Sequence, residues 1–155
     1  MKMTRADHPL TYEPACDDDF DALAQLRIAA MRESLEAVGR FDPDRARERL
    51  RSGFRPQDTH HIALSGVRVG FYALTRHPDH WSLDHLYLHP AHAGHGVGSQ
   101  VLATICARAD LAGMPLHVGA LRGSRSNRFY ASHGFVTTSE DAYDLYYVRH
   151  PRPAS

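Results

Sequence analysis

The sequence predicts a mixed α/β (α+β) fold, and three observations carry that expectation. Apolar residues recur at three- and four-residue steps in some stretches and at alternate positions in others, so helical and strand periods interleave along one chain. The alternating runs are short and bounded by Gly, Pro, Ser and Asp. The stretch from Leu86 to Leu102, LYLHPAHAGHGVGSQVL, passes from a strand pattern through a glycine-rich turn directly into a helix pattern. A length of 155 residues fits a single domain with a full core, read as residues 1–150, with a short disordered tail from Pro151.

Taken in order, Leu10–Pro14 alternates and reads as a first strand. Asp17, Asp18 and Asp19 then supply cap and first-turn carboxylates for a helix. Phe20, Leu23, Ala24, Ile28, Met31 and Leu35 form its apolar stripe, and Gly39 ends or bends it. Asp42 followed by Pro43 is a cap with proline at the first helical position, opening a second helix that runs through Leu50 towards Gly53. From His60 the period is two. Ile62 and Leu64, a Ser65-Gly66 turn, then Val67, Val69, Phe71 and Ala73 make a β-hairpin.

Pro78-Asp79 turns the chain into a strand over Trp81–Leu88, which leads to the glycine turn. Val97, Val101, Leu102, Ile105 and Ala109 mark the buried face of the next helix, which stops near Gly113 and Pro115. Leu116–Leu121 is a fifth strand, and a short helix starting at Ser124–Asn127 carries Phe129 and Tyr130 to Gly134. Phe135–Thr138 and Tyr143–Arg149 are the last two strands.

Composition narrows the function classes. Lys plus Arg and Asp plus Glu each number 18, leaving no net field for nucleic acid and no long basic run. Two cysteines, Cys16 and Cys106, fit reduced thiols better than a disulfide framework. The opening MKMTRADHPL lacks the apolar centre of a signal peptide, and no run reaches the roughly 18 apolar residues of a membrane span. A cytoplasmic protein, with no membrane partner, is the expectation.

The chemistry concentrates at Gly94, Gly96 and Gly98. Alternating glycines let the backbone take positive φ and leave amides uncovered by Cβ atoms. A helix beginning there adds amides without intrahelical acceptors and the positive end of its dipole, which together seat a phosphate or pyrophosphate. The spacing is neither G-x-G-x-x-G nor a P-loop, since no G-K-[ST] follows. His89, His92 and His95 cluster in this turn, but no cysteine or carboxylate completes a zinc set, so no metal is expected.

The turn resembles the acyl-CoA-binding motif [QR]-x-x-G-x-[GA] of the GCN5-related N-acetyltransferase (GNAT) superfamily. On that alignment Ala93 stands where the family has Gln or Arg, and Gly96 and Gly98 are its two glycines. Downstream, SNRFYASHGFV is similar to the family's second motif, through Asn127, Phe129, Tyr130, Gly134 and Phe135. The element order β-α-α-β-β-β-α-β-α-β-β matches the family as well, so the resemblance spans nearly the whole chain. It implies a central mixed, mostly antiparallel sheet of about six to seven strands flanked by about four helices.

The resemblance also implies roles. Leu86, Tyr87 and Leu88 would pair with pantetheine as an added strand, and Ala93, Gly94, His95, Gly96, Val97, Gly98 and Ser99 would hold the pyrophosphate. Asn127 and Phe129 would lie beside the pantetheine arm, although Asn127 is equally a helix cap. Tyr130 is the expected partner of the departing thiolate, or else a packing residue. Asp84 or His85 would remove the amine's proton, the imidazole titrating near neutral pH. Glu33, Glu36, Tyr146 and Tyr147 are candidates for the acceptor wall. The implied activity is acetyl transfer from acetyl-CoA to a primary amine, with a small molecule favoured over a peptide and a homodimer among the options. An acyl-CoA sensor without catalysis, or a nucleotide-binding protein using the same amides, are the competing readings.

Overall fold

The computed structural model describes residues 9–153. Its strands are β1 (Leu10–Pro14), β2 (Thr59–Leu64), β3 (Val67–Arg76), β4 (Trp81–Leu88), β5 (Leu116–Leu121), β6 (Val136–Glu140) and β7 (Asp144–Arg149). The helices are α1 (Phe20–Ala37), α2 (Pro43–Ser52), α3 (Val97–Ala112) and α4 (Ser126–Ser132), with short 3-10 turns before α1, before β2 and before the glycine turn.

Seven strands form one sheet in the order β1-β2-β3-β4-β5-β7-β6. The β1–β2, β2–β3, β5–β7 and β6–β7 ladders are antiparallel. The parallel β4–β5 ladder joins Trp81, Ser82 and Leu83 to Leu116, His117 and Val118 and makes the sheet mixed. A mostly antiparallel seven-stranded sheet with four helices is the fold the sequence motifs implied. Among the described residues, no helix is long and apolar enough to cross a membrane.

The chain divides into two compact units. The first comprises the described residues up to Ala73 together with His85–Gly98. Its core is Ala15, Phe20, Leu23, Ala24, Leu50 and Phe71, with Leu26, Phe54 and Tyr87 packed against it. The lead-in to α1 is fixed by Asp19, whose carboxylate accepts from the Cys16 amide and from His61 Nε2, both at 2.9 Å. The His61 bond first, then the Cys16 amide, hold the Asp19 carboxyl down at about 2. Asp42 caps α2 by accepting from the Arg45 amide, with Pro43 at the first helical position as expected.

The apolar stripe of α1 holds one surprise. Phe20, Leu23 and Ala24 are buried, but so is Arg27, with only 6% of its surface exposed.

The second unit comprises Leu74–Asp84 and the described residues from Ser99 onward. Val101, Leu102, Ile105 and Ala109 bury the expected face of α3, and Cys106 is buried with them. On β5, Leu116, Val118 and Ala120 are buried at alternate positions, as a strand with one covered face requires. Asp110 of α3 ties down the end of the chain. Its two oxygens accept from Arg149 Nη1 and Nη2 at 2.7 and 3.1 Å, and the Arg152 amide adds a third bond at 2.9 Å.

Candidate active site

In the first unit, everything turns on how β4 hands over to α3. Gly70 on β3 has no space for a Cβ, because the Tyr87 carbonyl and the Leu88 side chain occupy that position. The His89 amide donates to the Val69 carbonyl at 2.8 Å, and the chain then leaves the strand. His89 Nδ1 accepts from the Ala91 amide at 3.1 Å, holding the short turn at Pro90–His92. Gly94 and Gly96 take positive φ of 80° and 82°, a region that costs residues with a Cβ more.

Gly98 sits on the helix side of this junction, after the expected Val97 start. It lies in the first turn of α3, which begins at Val97. The first amides of a helix have no intrahelical acceptor. Helix N-termini in general favour anions, through such amides and the helix dipole. Ala93 and His95 are exposed just before α3. Among the described residues, no group of three or more His, Cys, Asp or Glu side chains is placed to hold a metal ion.

The last residues of β4 carry two ring side chains. His85 and Tyr87 are both half-buried, with His85 Nδ1 3.4 Å from the Tyr87 hydroxyl. Their rings meet Phe71, with centroids at 6.3 and 5.6 Å. Arg27 reaches the same group from α1, its Cζ 5.7 Å from the centre of the Tyr87 ring. Glu33 and Glu36 are exposed on α1, and Glu36 accepts from Arg32 Nε at 2.7 Å on the solvent side.

In the second unit, Asp84 is exposed and both its oxygens are engaged. It accepts from Thr75 Oγ1 at 2.5 Å and from Ser82 Oγ at 2.6 Å. Tyr130 is buried, with ring centroids of Phe129, Phe135 and Tyr147 at 5.3, 5.5 and 6.3 Å. The Asn127 side chain donates from Nδ2 to the Leu121 and Ser124 carbonyls at 2.8 and 3.0 Å and accepts from the Tyr147 hydroxyl at 2.8 Å. It ties the β5–α4 turn to β7 from within α4, whose N-cap is Arg125 and has no side-chain cap bond, so Asn127 does not cap that helix.

Tyr146 and Tyr147 do not share a wall. Successive strand residues face opposite sides, so Tyr147 turns inward to Asn127 while Tyr146 packs at the Gly119 position and donates to Asp141 at 2.6 Å. His133 Nε2 lies 3.3 Å from Ser99 Oγ in the first turn of α3. Burial, and then the Arg149 charge, pull the His133 imidazole below its ordinary value, favouring the neutral ring.

Residues 56–137 match the family model of the acetyltransferase (GNAT) domain, and the chain belongs to that family. It is similar in structure to the PaiA N-acetyltransferase of Thermoplasma acidophilum, solved with coenzyme A, at 13% identity and a TM-score of 0.74, covering 92% of this chain and 99% of that one. A GCN5-related N-acetyltransferase of Rhodopseudomonas palustris is similar at 21% identity and a TM-score of 0.71, covering 97% and 98%. An acetyltransferase of Thermus thermophilus is similar at 18% identity and a TM-score of 0.71, covering 91% and 96%. No curated protein sequence matches the chain.

One residue of this neighbourhood escaped the sequence reading. Arg27 follows Phe20, Leu23 and Ala24 at helical steps, so it lies on the stripe that packs inward. An arginine at a core position of an amphipathic pattern was the available signal.

Proposed function

We propose that the protein transfers an acetyl group from acetyl-CoA to a primary amine by direct attack, with a small molecule as the acceptor. The observation that carries this reading is the β4–glycine turn–α3 junction within a chain of this family. Bound acetyl-CoA supplies the activated acetyl thioester. The amides of Val97, Gly98 and Ser99 bind the pyrophosphate, and the backbone of Leu86–Leu88 pairs with the pantetheine arm.

The acceptor's nitrogen forms the new C–N bond as the C–S bond breaks. The amine's surplus proton leaves to a base and the thiolate gains one from an acid, so atoms and charge balance. His85 is assigned the base, because both oxygens of Asp84 already accept hydroxyl bonds. Tyr130 is assigned the acid.

Ala93, which brings no polar side chain to the seat, favours a second reading as an acyl-CoA sensor without turnover. Tyr130→Phe separates the two. In a transferase it lowers kcat by about 10²–10⁴-fold, measured by thiol release, while acetyl-CoA affinity changes little. If the parent protein binds acetyl-CoA but releases no thiol with any amine, the sensor reading stands instead.

A further inference from the structure

Arg27 is a buried guanidinium with an incomplete set of partners. Nη1 donates to the Ala46 carbonyl of α2 at 2.6 Å, and the Tyr87 ring faces Cζ. Nε is buried and has no hydrogen-bond partner, and Nη2 makes no hydrogen bond to the described residues. Nε and Nη2 are the side-on edge of the guanidinium, the pair that grips a planar carboxylate with two parallel bonds.

No carboxylate of the described residues forms an ion pair with Arg27. Arg32 of α1 pairs with Glu36 and Arg47 of α2 pairs with Asp21, both on the exposed surface. A charge held out of water without a counter-ion is costly, and a structure that served only packing would put an apolar residue on this stripe. The half-buried pair of His85 and Tyr87 stands at the same group of side chains, so a cation and a titratable imidazole flank one aromatic ring.

Resting on the transferase reading above, we infer that the acceptor is an amine that carries a carboxylate, and that Arg27 binds that carboxylate through Nε and Nη2. A single guanidinium balances one negative charge. A phosphate dianion would leave a charge over in a buried place, so a monoanionic acid of amino-acid type is the better match.

The test is thiol release from acetyl-CoA with a panel of free amino acids and short ω-amino acids, each beside its own primary amide. The amide keeps the amine and the shape and removes the charge. For the accepted compound, the acid exceeds the amide in kcat/KM by about ten- to a hundredfold, as expected for a lost charge-assisted pair. Arg27→Met removes that preference by raising KM for the acid, while KM for acetyl-CoA stays unchanged. Should Arg27→Met fail to fold, the acid–amide contrast in the parent protein decides alone.

Amides used as well as acids, or thiol release confined to amines without a carboxylate, overturn the inference and leave the transferase reading standing. Acetyl-CoA binding with no transfer to any acid of the panel also overturns it. Failure to bind acetyl-CoA overturns the transferase reading beneath it, so the two failures are told apart by the cofactor arm.

Discussion

Asp110 shows how much one carboxylate can hold. It accepts two bonds from Arg149, which is 6% exposed, and a third from the Arg152 amide. The Arg149 bonds hold the Asp110 carboxyl below its ordinary range, and Asp110 in turn raises Arg149. Asp110→Ala leaves a buried guanidinium without its counter-charge and is expected to cost about 3 kcal/mol, read from the urea midpoint. Asp19 gives a pH signature instead. Its folded value of about 2 lies below the unfolded carboxyl near ~3.9, so its contribution is complete above the latter and is lost as pH falls through the former. The stability gap between the parent protein and Asp19→Asn should therefore be constant from neutral pH down to about pH 5 and close towards pH 2. A gap independent of pH would mean that the bonds to Asp19 contribute nothing through its charge.

Among the elements, the β3–β4 pair depends on Gly70. A Cβ there would overlap the Tyr87 carbonyl and Leu88, which belong to the strand end proposed to bind pantetheine. Gly70→Ala is expected to destabilise by about 1–3 kcal/mol in urea and to weaken acetyl-CoA binding, since the backbone of β4 must shift. Unchanged binding in a folded Gly70→Ala protein would argue against the strand-pairing role. Helices and strands were legible because their signals are local. Val101, Ile105 and Ala109 repeat with the α3 period, and Asp42-Pro43 marks the start of α2. Arg27 was not legible, because a helical period says which face is buried but not that a charge lies on it. For Tyr146 and Tyr147, chain adjacency suggested a shared wall where the strand's two-residue period separates them.

For the molecule as a unit, what the sequence left open was non-local. Insertion of β7 between β5 and β6, and the parallel β4–β5 ladder, arise from pairing between distant segments that no local pattern encodes. The motif pair around Gly96 and Tyr130 implied a mixed, mostly antiparallel sheet by resemblance, but not the order of its strands. The proposed function stands on acetyl-CoA binding at the β4–α3 junction. Thermal unfolding with acetyl-CoA, CoA and ATP is its sharpest test. A ligand at about 100 times its dissociation constant adds roughly 2.7 kcal/mol, which raises the midpoint of a domain this size by several degrees. That rise is expected with both CoA compounds and not with ATP. No rise with either CoA compound, or an equal rise with ATP, would contradict the proposal.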